Sequence, residues 1–326
     1  MKRILWLLLT VNLILTGCAA PESKEPISGS KLFFDTVIQI DLYGTTDQKI
    51  LDGCFKLCRE YENKFSRTIE TSEISKINAS NGTPITVSDD TIELLNKGLY
   101  YSQLSNGAFD ITIDPLSILW DFKNNTSNIP DASKIQEAIA HVNYENICIE
   151  GNTVTLLDPL AKIDLGGIAK GYIADQLKKY LLDQGIDHGL INLGGNVLAV
   201  GTKPDNHPFN IGIQKPFDKK NIPITSVQIS NQSVVSSGVY ERYFKKDGML
   251  YHHILNPETG FPYKNNLLEV TIISQQSVDG DGLSTTCFAL GLEKGMELIN
   301  QLDHTEAIFI TDDYKLHYSN HLRPND

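Results

Sequence analysis

Residues 188–201 read HGLINLGGNVLAVG, and four more strand candidates follow: FNIGIQKP (209–216), ITSVQISNQSVVSSG (224–238), MLYHHILNPETG (249–260) and LLEVTIIS (267–274). Each is rich in β-branched or apolar residues and bounded by Gly, Pro, Asn or Ser. Strands that succeed one another this closely leave no room for crossover helices, so they pair antiparallel. Helical periodicity appears on both sides of them. IAKGYIADQLKKYLLDQG (168–185) reads as a helix ending at Gly185, and STTCFALGLEKGMELINQL (284–302) as the last helix before a final strand, EAIFITDD (306–313). Towards the N-terminus, FDTVIQIDLYG (34–44) alternates as a strand and residues 47–65 as an amphipathic helix. FSRTIETSEISKIN (65–78) reads as a loop, and SDDTIELLNKGLYYSQLS (88–105) as a helix capped by Ser88. ICIEGNTVTLL (147–157) reads as a hairpin turning on Gly151-Asn152. Strand runs mixed with helices predict an α+β class with mainly antiparallel sheets and packed helices.

Hydrophobic content of 41% and charged content of 21% describe an ordinary globular body. A net charge of −12, with no basic stripe, argues against nucleic acid as a partner. Lys2 and Arg3, the apolar run 4–15 and a small-residue boundary have the pattern of an export signal. LTGC (15–18) resembles a bacterial lipobox, which implies cleavage before Cys18 and a lipid on its sulfur. The expected organisation is a signal peptide over 1–17, a lipid-anchored tether over 18–30 and one domain over 31–326. The protein is then expected in the bacterial cell envelope, held to the membrane and facing outside the cytoplasm. Cys54 and Cys58 fall at helical spacing with Leu51, Phe55, Tyr61 and Phe65, and read as small core residues.

Several familiar sites are absent. GGIAKG (166–171) is neither a Walker A loop nor a dinucleotide fingerprint, no Gly-x-Ser-x-Gly elbow exists, and DGDG lacks the later ligands of an EF-hand. HYSNH (317–321) offers two histidines without a third zinc ligand. DGDGLSTT (279–286) admits two readings. It caps the helix that follows, or Asp281 and Thr285, four residues apart on one helix face, bind a hard cation. DLGGIAKG (164–171) sets an acid, two glycines and Lys170 before a helix, either a plain turn or a phosphate cradle. The Gly pair of NLGGN (192–196) signals a bulge or a close backbone approach. GAFDITIDPL (107–116) puts Asp110 and Asp114 around a strand, and His253 precedes a Pro-containing turn.

These stretches, in this order from about residue 31 to 291, resemble the ApbE family of FAD:protein FMN transferases. The resemblance implies an ApbE-like (T-fold-like) architecture. It also implies Mg²⁺-dependent transfer of FMN from FAD to a Thr or Ser hydroxyl of an acceptor protein, with release of AMP. Asp164 and Lys170 lie where the family contacts FAD, and Phe34, Thr68, Ala108, Phe109, Asp110 and Ile254 match positions lining the flavin site. The Gly167 carbonyl, Asp281 and Thr285 occupy metal positions, with Ser284 beside them, and Gly280 and Gly282 are expected to keep bulk away from the pyrophosphate. His253 matches the histidine before the family's turn and is the candidate base. Acceptors would be subunits of envelope redox complexes. Three departures stand out. Asn256 replaces the commoner aspartate of that turn, Phe34-Asp35 stands where many members have Met-Gly, and Thr68 where many have Tyr. Two other readings stay open on the same residues: an FAD pyrophosphatase giving FMN and AMP, and an envelope flavin carrier without turnover.

Overall fold

The computed structural model describes residues 25–124, 127–218 and 222–322. The chain opens with a hairpin, β1 (Ile27–Phe33) and β2 (Thr36–Leu42), then α1 (Gln48–Phe65) and α2 (Glu73–Asn78). Next come β3 (Ile85–Thr86), α3 (Asp89–Leu104), α4 (Asp114–Trp120), α5 (Ala132–Ile139) and the hairpin β4 (Ile147–Glu150) and β5 (Thr153–Leu156). After α6 (Ala169–Asp183) the chain is almost all strand: β6 (Gly189–Leu193), β7 (Asn196–Val200), β8 (Phe209–Gln214), β9 (Pro223–Ile229), β10 (Ser233–Gly238), β11 (Tyr243–Lys246), β12 (Met249–His252) and β13 (Leu267–Ser274). It closes with α7 (Ser277–Ile299), β14 (Glu306–Thr311) and β15 (Leu316–Tyr318).

Eight strands form one sheet in the order β1-β2-β6-β7-β10-β13-β14-β15, with every pairing antiparallel. Helices α1, α6 and α7 cover one face. Ile38, Ile40, Ile191, Leu198, Val270 and Ile272 pack there against Leu51, Ile173, Leu177, Leu283 and Phe288. The β8–β9 hairpin covers part of the other face, where Phe209, Ile213, Val227 and Ile229 meet Ala199, Val234, Ile273, Ile308 and Ile310. β13 is buried along its whole length, because both of its faces are covered. A smaller aromatic core, with Trp120 stacked on Phe122 and Tyr251, joins α4 and α5 to β11–β12. Cys54 and Cys58 are buried and unbridged, and burial raises both thiols to about 12.

The structure departs from the sequence expectations at several places. HGLINLGGNVLAVG is a hairpin rather than one strand: Gly194 and Gly195, with φ of 63° and 93°, form its two-residue turn. ITSVQISNQSVVSSG is two strands, not one: at Asn231, whose φ is 57°, the chain leaves the β8–β9 hairpin and enters the large sheet as β10. The loop expected over 65–78 contains α2, capped by Ser72, whose hydroxyl accepts from Ser75 N–H. Ser88 makes no cap bond of its own and donates its hydroxyl to Glu73. No strand forms between Asp110 and Asp114. Residues 108–113 are a turn leading into α4, and both carboxylates are buried. The tether expected over 18–30 stops short, since Ile27 is already paired with Leu42. Cys18 lies outside the described residues.

Candidate active site

A cavity of about 1050 Å³ opens where the starts of α6 and α4 face the second turn of α7, the β1–β2 turn and the ends of β10 and β12. That volume is at the top of the range for sites that enclose one small ligand. One wall is the approach to α6. Gly166 N–H donates to the Asp164 carboxylate at 2.8 Å, which fixes the turn. A Cβ on Gly167 would lie 3.0 Å from the Phe109 ring and 3.7 Å from Thr285 Oγ1, so the backbone passes close between them.

DGDGLSTT does not precede the last helix but lies inside it. α7 begins at Ser277 because the Asp175 carboxylate on α6 accepts from Ser277 N–H at 2.8 Å and Val278 N–H at 2.9 Å. Burial raises Asp175 to about 6. The glycines serve helix packing rather than the ligand. A Cβ on Gly280 would meet Val235 at 2.8 Å, and one on Gly282 would meet the Tyr101 ring at 2.4 Å. Asp279 is held outside the cavity by Lys97 Nζ at 3.0 Å and the Tyr101 hydroxyl at 2.7 Å.

Asp281 and Thr285, one helical turn apart, both line the cavity. Asp281 accepts from Gly171 N–H at 2.9 Å and faces Lys170 Nζ at 3.5 Å. Thr285 Oγ1 is 3.1 Å from Ser237 Oγ. Ser284 does not reach the cavity; its hydroxyl is buried against Ser237 Oγ at 2.8 Å and the Asp281 carbonyl at 3.0 Å. Phe34, Thr68, Ala108, Phe109, Asp110, Asp164, Lys170, His253 and Ile254 all border the same space. Phe34 gets there through the two-residue turn between Phe33 and Thr36, in which Phe34 and Asp35 have φ of 51° and 58°. Turns of that hand favour Gly, and a bulky residue there is held against its preference.

Asp110 accepts from Thr112 N–H and Oγ1 and from Tyr144 N–H, while burial raises it above the ordinary carboxylate range. Burial is also the main reason His253 falls to about 3, with the nearby cations lowering it further, so the imidazole is neutral at pH 7. Its Nδ1 has no hydrogen-bond partner among the described residues. The neighbouring His252 is lowered to about 4 by burial, and its Nε2 lies 3.0 Å from the Tyr263 carbonyl. The Tyr263 hydroxyl in turn donates to the Ala108 carbonyl at 2.8 Å, tying two walls together. The Asn256 side-chain oxygen accepts from Glu258 N–H at 2.8 Å and Thr259 N–H at 3.1 Å. That is turn-closing work which a neutral amide does as well as a carboxylate.

A family model described as the ApbE family matches residues 34–309. The chain belongs to the ApbE family. It is 38% identical to an FAD:protein FMN transferase of Klebsiella pneumoniae, over 87% of this chain and 89% of that one. It is 30% identical to one of Treponema pallidum, over 97% and 94%. An ApbE protein of Thermotoga maritima superposes with a TM-score of 0.84 at 28% identity, covering 91% of this chain and 97% of its own. The flavin transferase ApbE of Vibrio cholerae superposes with a TM-score of 0.80 at 28% identity, covering 92% and 98%. The expected α+β, ApbE-like fold is the observed one.

Sequence reasoning missed part of this site. Arg67 lies 2.8 Å from Asp114 Oδ1 and 3.3 Å from Asp164 Oδ2, so one guanidinium holds together the starts of α4 and α6. Burial and the charge of Asp164 raise Asp114 to about 7, despite Arg67. Arg67 stands next to Thr68 in the stretch FSRTIET, but nothing in its spacing marks an ion pair nearly 50 residues away. Ser236, Ser237 and Arg242 also line the cavity, as do Ile211–Gln214 of β8.

Proposed function

We propose that the chain is an FAD:protein FMN transferase that moves FMN from FAD to a Thr or Ser hydroxyl of an acceptor protein. The observation that carries this reading is the convergence of Asp281, Thr285, the Gly167 backbone and Lys170 in one cavity that also receives Phe34, Phe109 and His253. The relatives from Klebsiella pneumoniae and Treponema pallidum are FAD:protein FMN transferases, which supports it.

The donors that converge suit Mg²⁺. A carboxylate, a hydroxyl and a backbone carbonyl are hard oxygen ligands, and Mg²⁺ is commonly held by one or two carboxylates plus substrate phosphates. Among the described residues no three His, Cys, Asp or Glu side chains are grouped to hold a metal, so the set would have to include Thr285 and the Gly167 carbonyl. Bound there, Mg²⁺ would supply Lewis-acid polarisation of the pyrophosphate.

The chain's own residues do the rest. Lys170, at the start of α6, offsets the charge of the pyrophosphate. Phe34 and Phe109 give the isoalloxazine apolar surface. His253 borders the same space and is the residue we assign to take the proton of the attacking hydroxyl. The acceptor oxygen bonds to the FMN phosphorus, the bond from that phosphorus to the bridging oxygen breaks, and AMP departs with that oxygen. The lipid anchor at Cys18 and an envelope location belong to the same proposal and rest on the export-signal pattern of residues 2–15 and on LTGC. No described helix is long and apolar enough to cross a membrane.

The experiment is incubation with FAD, Mg²⁺ and membrane proteins of the source cell, read by mass spectrometry. An acceptor heavier by one FMN less water, with AMP in equal amount, supports the reading. Free FMN and AMP beside unmodified protein would favour a pyrophosphatase, and unchanged FAD would favour a carrier.

A further inference from the structure

Ile211, Gly212, Ile213 and Gln214 all border the cavity. Successive side chains of a strand point to opposite faces, so four in a row bordering one space point to the strand's backbone edge. The other edge of β8 is taken by β9, from Phe209 opposite Ile229 to Gln214 opposite Pro223, and no residue of β9 borders the cavity. Among the described residues, Phe209–Gln214 make no backbone hydrogen bond outside that ladder. β8 thus turns a free edge towards the reaction site. Such edges are usually blunted by charge or proline, and FNIGIQ has neither.

We propose that the hydroxyl-bearing segment of the acceptor binds in extended form as an added strand on the β8 edge. This rests on the transferase reading above. Val197, Val234 and Ser236 line the space beside that edge, and the groove continues to Ser237, whose Oγ is 3.1 Å from Thr285 Oγ1. A strand laid along it delivers a hydroxyl to the end where Ser237 and Thr285 lie, one helical turn from Asp281. Proline, which has no backbone N–H, does not fit at the positions where the added strand donates to β8. Affinity would come from main-chain hydrogen bonds and preference from alternate side chains, the usual division in strand addition.

The test uses the full chain with FAD and Mg²⁺. The proteolytic fragment found to carry FMN is synthesised unmodified, then with single backbone N-methyl groups placed residue by residue. Strand addition predicts a period of two: methylation at alternate residues lowers the transfer rate about tenfold, the worth of one hydrogen bond, and the residues between tolerate it. Hydrogen exchange at Ile211–Gln214 should slow when the unmodified peptide is added. Losses without alternation, or unchanged exchange at β8, would overturn the proposal while leaving the transferase reading intact. If no protein is labelled by the wild-type chain that binds FAD, the transferase reading fails, and this proposal fails with it.

Discussion

The Asp281 carboxylate accepts a hydrogen bond at 2.9 Å from the backbone N–H of Gly171, so a residue of α7 closes the first turn of α6. Asp175 of α6 does the same for the first turn of α7. The two helices cap each other. A Cβ on Gly171 would lie 2.3 Å from the Ser277 carbonyl, which shows how closely they approach. Asp281 therefore has a structural task and a chemical one, and substitutions separate them. Asp281→Ala should cost about 1–2 kcal/mol, as lost caps and hydrogen bonds do, and should abolish Mg²⁺-dependent AMP release. Asp281→Asn keeps an acceptor for Gly171, so denaturant unfolding should stay close to wild type while AMP release is still lost. Wild-type turnover by Asp281→Asn would refute the metal assignment.

Arg67→Met should destabilise the protein by roughly 3 kcal/mol, because it strips Asp114 and Asp164 of a shared cation and leaves one of them buried. Asp114 already sits at about 7, and without Arg67 it rises further. The penalty should therefore be smaller at pH 5, where Asp114 is neutral, than at pH 8. Equal losses at both pH values in urea titrations would contradict this account.

Glu269 lies on the buried strand β13 and accepts from the Tyr240 and Thr271 hydroxyls. Burial raises it from 4.5 to about 7. Between those values the native state keeps a proton that the unfolded state has released, so this group's contribution to stability falls as pH rises through that window. His252 has the opposite sign: lowered from 6.5 to about 4, it costs stability as pH falls across that range. Glu269→Gln should remove the alkaline part, so that the variant loses less stability than wild type between pH 5 and pH 8. Parallel stability curves for the two proteins would exclude Glu269 as a source of the slope.

Asn256→Asp should leave stability within about 0.5 kcal/mol and activity unchanged, since either side chain offers an oxygen to Glu258 and Thr259 N–H. Asn256→Ala removes that acceptor and should cost about 1 kcal/mol. A marked loss of AMP release in Asn256→Asp at unchanged stability would show that charge at this turn matters.

Residue pattern alone determined the strand-rich second half, the helix over α6 ending at Gly185, and the pairing of Asp281 with Thr285 on one helix face. Those features depend on local periodicity and on residues a few positions apart, which a chain carries in its own order. It also showed the ordered stretches that mark the ApbE family. What the tertiary structure decided depends on partners distant in sequence. α7 starts at Ser277 because Asp175, a hundred residues earlier, supplies the cap that no local residue offers. Gly280 and Gly282 face Val235 and Tyr101 instead of a ligand, because α7 presses against β10 and α3. Ser284 turns away from the cavity because Ser237 takes its hydroxyl. The free edge of β8 exists because β9 pairs on one side and the hairpin packs across the face of the large sheet instead of joining its ladder. Periodicity assigns a residue to a face; which neighbour that face meets depends on packing between elements, and packing is set only when the whole chain has closed.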